Sequence, residues 1–389
     1  MINNNHSVLA VLLVIATALA GCTTHSVRPD VNAMHFLHDA AFPASNQVNI
    51  ETRREVFRLD ESTREYLDEK TDGLRNTHVN TMPFVNVIIQ SMETFSYNNS
   101  ATTTAAQTFH NREANCLSMT ILAFAMADYL GFDVSFRYVE IPEYWMWREQ
   151  NSLVSRHVNL ILKPVKTDEP VFGFIFSRPI EIDFFAPGSS QRYGSHKISD
   201  STILAMFYNN KGAVALLSGK PDIAYAYLRA AVLEDPTLDM AISNLALLYT
   251  KAGKLEWAES NYREIIKRNP NNTAAAQGLA VVMRMQGRYK EAAAIIARIE
   301  RERANNPYYH YVLGEQAYAA NKWNKAIHAF KRALDLRPDL DQAYFGLAKS
   351  YYQLGDIDWA RANLKQAKRN ASREEAKKRY ESKLALLTR

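Results

Sequence analysis

The chain has 389 residues, 47% hydrophobic and 22% charged, which is enough for two or three domains and excludes wholesale disorder. Its net charge of +5 hides an asymmetry: residues 1–204 carry 16 Lys+Arg against 22 Asp+Glu, and residues 205–389 carry 30 against 19. The two halves are electrostatically different objects and are expected to do different work.

Residues 8–20 form an uncharged apolar run of 13, too short to span a ~30 Å hydrocarbon core but suited to an export signal. The run ends in Leu19-Ala20-Gly21-Cys22, which resembles the lipobox of bacterial lipoproteins. That resemblance implies a signal peptide over residues 1–21, lipidation of Cys22 and a membrane held through acyl chains. Thr23, standing where Asp would favour the inner membrane, implies the periplasmic face of the outer membrane. The n-region MINNNHS lacks Lys and Arg, a departure from the usual signal pattern. Residues 22–49 are expected to be a lipidated tether. With Cys22 so used, Cys116 is the remaining thiol of an exported chain, so it is either well buried or used.

The middle of the chain, residues 50–204, reads as mixed. Apolar residues fall at helical spacing between Thr52 and Asp72 and again over residues 83–95. A polar Asn/Ser/Thr segment and a short helix follow, and then a helix from Cys116 to Leu130 with Asn115 as N-cap and Gly131 past its end. A helix N-terminus favours a thiolate over a thiol, and its N–H groups can receive an oxyanion. Beyond Gly131 the period changes to two, which predicts strands over residues 132–142, 155–165, 170–176 and 179–185.

Helix-borne Asn115-Cys116-Leu117-Ser118, a strand opening Arg156-His157-Val158-Asn159-Leu160 and a strand ending Glu181-Ile182-Asp183 together resemble the transglutaminase-like (papain-like cysteine) superfamily. The resemblance implies an α+β papain-like/transglutaminase-like domain. Within it Cys116 is the nucleophile, His157 the general base and Asp183 the acid that orients the imidazole. Ala114 stands where glycine is frequent, and Ser118 where an acidic residue often follows. The residues themselves also leave His196 and His110 as alternative bases and Glu181 as an alternative acid. The run Tyr144-Trp145-Met146-Trp147 is suited to a cleft wall or a surface loop. No metal-ligand spacing, phosphate loop or dinucleotide fingerprint is present, so no metal and no cofactor is expected.

From Ala205 the sequence repeats every 34 residues in five units, 205–238, 239–272, 273–306, 307–340 and 341–374. The twentieth position is Ala224, Ala258, Ala292, Ala326 and Ala360, and the eighth is Gly212, Ala246, Ala280, Gly314 and Ala348. The fifteenth is Gly219, Gly253, Gly287, Asn321 and Gly355; Pro236, Pro270 and Pro338 end three units. This pattern resembles the tetratricopeptide repeat, implying an all-α solenoid of helix pairs, here closed by a capping helix over residues 375–389. Small residues let paired helices approach, and glycine caps the first helix of each pair.

Such an array is expected to bind a protein or peptide along its first helices, with Asn210 and Asn244 placed to grip a peptide backbone. The basic half makes an acidic peptide, an acidic protein face or an anionic glycan the candidate ligand, a solvated basic surface being the alternative. Nucleic acid is not expected for an exported chain. Two functions follow. One is an envelope lipoprotein with a Cys-His-Asp acyl-transfer site acting on an amide or peptide bond, as a cysteine protease, amidase or transglutaminase. The other is an inactive papain-like scaffold whose repeats serve as a protein–protein adaptor.

Overall fold

The computed structural model describes residues 32–72, 82–139, 157–163, 179–184, 195–371 and 374–387. The expected export signal, Cys22, the aromatic run 144–147 and the expected strand 170–176 lie outside them. No described helix is long and apolar enough to cross a membrane.

The expected helix between Thr52 and Asp72 is two, α1 (Arg53–Phe57) and α2 (Glu61–Thr71). The break comes from local caps that outcompete helical spacing. Thr52 and Glu55 form a reciprocal capping box, and Asp60 accepts the Thr63 N–H at 3.1 Å to open α2. Helix α3 (Met82–Met92), strand β1 (Ser96–Tyr97), α4 (Ala105–Asn111) and β2 (Glu113–Ala114) follow, with β1 and β2 pairing in parallel. Helix α5 (Cys116–Tyr129) runs through the domain's centre with most of its length buried. It ends as the glycine predicts: Gly131 has φ of 83°, and the Phe132 N–H reaches back to the Ala127 carbonyl at 3.0 Å.

Four antiparallel strands lie against α5 in the order β5 (Ile180–Ile182), β4 (His157–Lys163), β3 (Asp133–Val139) and β6 (Ser195–Ile198). Alternation sorts the faces. Phe136 opposes Leu160, which opposes Ile182, and Phe124 of α5 stacks on Phe136 at 4.7 Å. Strand β6 is not among the strands expected from the alternation, since its SHKI pattern is too short and polar to signal a strand without β3 beside it.

The array opens at Asp200, five residues before the first repeat position, capped by Ser199, which accepts the Thr202 N–H at 3.1 Å. Its helices are α6 (Asp200–Leu217) and α7 (Pro221–Glu234), α8 (Asp239–Lys251) and α9 (Leu255–Arg268), and α10 (Thr273–Met285) and α11 (Tyr289–Ala304). Then come α12 (Pro307–Ala319) and α13 (Trp323–Leu336), α14 (Asp341–Gln353) and α15 (Ile357–Asn370), and the capping helix α16 (Glu374–Leu386). Asn321, the one non-glycine at the fifteenth position, has φ of 57° and takes the same left-handed turn. Where the unit-ending proline is replaced by Ala304, α11 continues two residues further than the other second helices. The twentieth-position alanines are at most 1% exposed. The ring of Phe330 on α13 fills the space beside Gly314 of its own unit and Gly346 of the next, where a Cβ on either glycine would come within 3 Å of ring atoms. Helix α16 closes the stack with Tyr380, fully buried, its hydroxyl donating to Asp341 at 2.9 Å.

Residues 32–49, expected as part of a tether, are docked. Three short 3₁₀ turns, Ala33–Phe36, Asp39–Ala41 and Pro43–Gln47, lie along α7 and its neighbours. Phe36, Leu37 and Phe42 are at most 7% exposed, because partners far along the chain supply the aromatic surface that covers them.

Two measurements check this packing. Gly346→Ala is expected to lower stability by about 1–3 kcal/mol through overpacking against Phe330. Combined with Phe330→Leu, it should cost less than the sum of the two single changes in chemical denaturation. Burial raises the Asp60 carboxyl, but hydrogen bonds from Thr63 and His110 outweigh it and bring the group down to about 2. Its stabilisation is therefore present above about pH 3.8 and lost as pH falls toward 2. Asp60→Asn should be less stable than the parent at pH 7, and the gap should close between about pH 4 and 2.

Candidate functional site

Cys116 is the first residue of α5 and is 5% exposed. Its position is set by a buried polar frame. Asn115 caps the helix by accepting the Ser118 N–H at 2.9 Å, and its amide donates to Thr102 Oγ1 at 2.8 Å and to the Asn99 carbonyl at 3.3 Å. The fully buried Ser118 hydroxyl donates to the Ala101 carbonyl and accepts the Thr103 N–H, both at 3.0 Å. Ser118 thus reads the backbone of the loop at 101–103 in both directions, which a carboxylate at that position, having no proton to donate, would not do. The Asn/Ser/Thr richness of residues 98–104 was the sequence signal for this frame, but nothing in the spacing said that it would wrap the cysteine.

Strand β4 is brought to the same helix turn. The Thr120 hydroxyl lies 2.8 Å from the Cys116 carbonyl and 3.3 Å from the Val158 carbonyl, so the residue after His157 is pinned one turn from the cysteine. The backbone of His157 opens β4 opposite Val139; its side chain lies outside the described atoms. Asp183 follows the last residue of β5 and is exposed. Helix α5, β4 and β5 are therefore consecutive neighbours, and the three expected residues sit at the helix start, the strand start and the strand end.

The alternatives are distributed differently. Glu181 accepts the Asn159 amide at 2.7 Å. His110, at the end of α4, is held by the Asp60 carboxylate, with Ser62 Oγ at 3.4 Å. His196 lies on β6, exposed, its ring 5.3 Å from Tyr138. Among the described residues no group of three or more His, Cys, Asp or Glu side chains is placed to hold a metal ion.

In the array, Asn244 donates to Asn209 at 2.8 Å, and Asn209 donates to Asn210 at 3.3 Å. The two asparagines expected to grip a ligand are thus linked through a third, Asn209, which is 1% exposed. The first helices α6, α8, α10, α12 and α14 carry Lys211, Lys251, Arg284 and Lys349 against Asp200, Asp239, Glu315 and Asp341, a balance of zero. Lys211 is paired with Glu51 at 2.6 Å and Lys349 with Glu315 at 3.1 Å. The basic excess of this half lies on the second helices, in the turns and in the tail. Beside Lys251 and Arg284, the first helices expose apolar side chains: Leu247 and Val281 at the ninth position of units two and three, Leu217 and Met285 at the thirteenth of units one and three.

Comparison with known proteins bears on this half. Models described as tetratricopeptide repeat match residues 250–315 and 341–372, and one described as TPR repeat matches 314–355. Cellulose synthase 1 operon protein C of Komagataeibacter xylinus is 30% identical over 115 residues, which are 29% of this chain and 9% of that protein. Among solved structures, MamA from Desulfovibrio magneticus RS-1 is 20% identical, covering 42% of this chain and 92% of that one with a TM-score of 0.25. A thermophilic TPR protein of Thermus thermophilus is 24% identical, covering 46% and 99% with a TM-score of 0.24. With the 34-residue register, the glycine turns and the buried alanines already in place, residues 250–372 are tetratricopeptide repeats.

Proposed function

We propose that the chain is a protein-binding adaptor whose repeat array captures a partner along its first helices. The observation that carries this reading is the row of exposed apolar side chains at equivalent positions of successive units, Leu247 at 37% and Val281 at 49%, flanked by Leu217 and Met285. Isolated exposed leucines are ordinary; the same position exposed in two successive units, with apolar side chains one turn away, makes a strip across the first three units. On these side chains the ligand is a peptide or protein face presenting apolar groups. The lipobox-like Cys22 supports attachment of this adaptor to the periplasmic face of the outer membrane.

A second reading has its own support in the pinning of β4 to the first turn of α5. In it His157, oriented by Asp183, takes the Cys116 proton and the thiolate attacks an amide carbonyl. The C–N bond then breaks as the amine leaves with the proton from His157. Water or a second amine resolves the thioester.

Two experiments separate the readings. Leu247→Glu/Val281→Glu, both at exposed sites, should fold as the parent does and lose at least tenfold in affinity for the partner identified by capture on the parent. Equal capture by both would refute the first-helix strip. Cys116 should alkylate with iodoacetamide faster than a model thiol near neutral pH, and His157→Ala should slow it. A rate no faster than the model thiol and indifferent to His157 removes the acyl-transfer reading, while Cys116→Ala should leave partner capture unchanged.

A further inference from the structure

The docked segment 36–51 shows how the opposite, second-helix side of the array recognises a peptide. Main-chain and side-chain groups are both read. Tyr249 Oη donates to the Phe36 carbonyl at 2.9 Å, and the His38 N–H donates to Tyr225 Oη at 2.8 Å. The His38 ring stacks on Trp257 with centroids 4.0 Å apart and planes at 13°. Arg229 grips the Asp39 carboxylate with two N–H groups, at 2.8 and 3.2 Å, and Phe42 stacks on Tyr225 at 4.6 Å. A planar ring on a tryptophan, a carboxylate on a cation and an apolar group three residues on is a specific recognition pattern.

The same pattern is laid out again 102 residues later, three periods of 34 along the array. Tyr249 and Trp257 become Tyr351 and Trp359, Arg229 becomes Lys331, and Tyr225 becomes Ile327. The Tyr–Trp pair is not a general property of the units. The corresponding positions are Ala215 and Ile223 in the first, Met283 and Glu291 in the third, and Ala317 and Lys325 in the fourth. At the second location, among the described residues, no strap lies upon the tryptophan. Trp359 is 59% exposed, stacked on Tyr351 at 5.7 Å, and Lys331 Nζ stands 5.9 Å over the Tyr351 ring.

We infer that the second-helix side of units four and five is a peptide-binding site. It takes an extended segment of a partner protein in which a planar side chain is followed by an acidic residue and, three positions on, by an apolar one. The occupied cradle at units one and two supplies the pattern. The planar residue would lie on Trp359, and its acidic neighbour would meet Lys331. Ile327 stands where Tyr225 meets Phe42 but is only 9% exposed and lacks the hydroxyl, so the third residue is read there less strongly. Lysine, a point charge, replaces the bidentate fork of arginine, so Asp and Glu are both accepted. This site does not depend on the first-helix strip and is tested apart from it.

The probe is a fluorescent peptide with the sequence of residues 34–44, titrated into the full chain and followed by anisotropy. Saturable binding is expected, weakened at least tenfold by Trp359→Ala, by Lys331→Glu and by Asp39→Ala within the peptide. Trp359→Ala should retain the parent's circular dichroism and melting temperature, since the side chain is mostly in solvent. Absence of binding to the parent, or equal binding to Trp359→Ala, overturns the inference. So does binding that is indifferent to Trp359 but lost with Arg229→Glu, because the peptide would then be exchanging with the strap at units one and two.

Discussion

The architecture depends on how closely helix backbones can approach one another. Every pair in the array is held at a distance set by Gly or Ala at the eighth position and Ala at the twentieth, and the gap that remains is filled by a large side chain four residues after that alanine. Phe330 is the clearest case: one ring packs on Gly314 within its unit and on Gly346 in the next, so a single contact fixes both the pairing and the stacking. Tyr262 plays the same part against Gly278. Because interiors are packed to crystal-like density, a methyl group added at either glycine has nowhere to go. The spacing of units, and with it the repetition of surface positions from which both proposed binding sides are built, follows from this constraint.

This constraint is also what made the array readable in advance. Small residues and αL turns recur every 34 positions because each unit solves the same packing problem, and Asn321 could be placed in a glycine's role before its φ of 57° was seen. The helix at Cys116 was legible for a similar reason, since Asn115 and Gly131 are local signals for a start and a stop. Strand β6 was not legible. Its four residues have no pattern of their own and exist as a strand only because β3 offers a free edge. The division between α1 and α2 was hidden because apolar spacing continued across it while Thr52 and Asp60 imposed separate starts.

The docked strap and the frame around Cys116 were invisible for a deeper reason. Sequence periodicity reports on neighbours three or four residues away, whereas Asp39 meets Arg229 across 190 residues and the Phe36 carbonyl meets Tyr249 across 213. Tyr225, Tyr249 and Trp257 read in the sequence as ordinary helix aromatics. Only the fold turns them into a cradle. Charge was legible only as a total: the excess of basic residues in the second half is placed on second helices, turns and tail, a distribution that composition does not report.

The strap also sets an order of events. Residues 36–51 are made early, yet the groups that cover them, from Tyr208 to Arg268, are made some two hundred residues later. Until Tyr225, Tyr249 and Arg268 are available, the cover of Phe36 and Phe42 is incomplete, and closing so long a loop is slow. This segment is therefore among the last parts to settle, and a chain cut short before the second repeat is complete would leave it partly uncovered. The strap can dock fully only once the first two repeats have been made and folded.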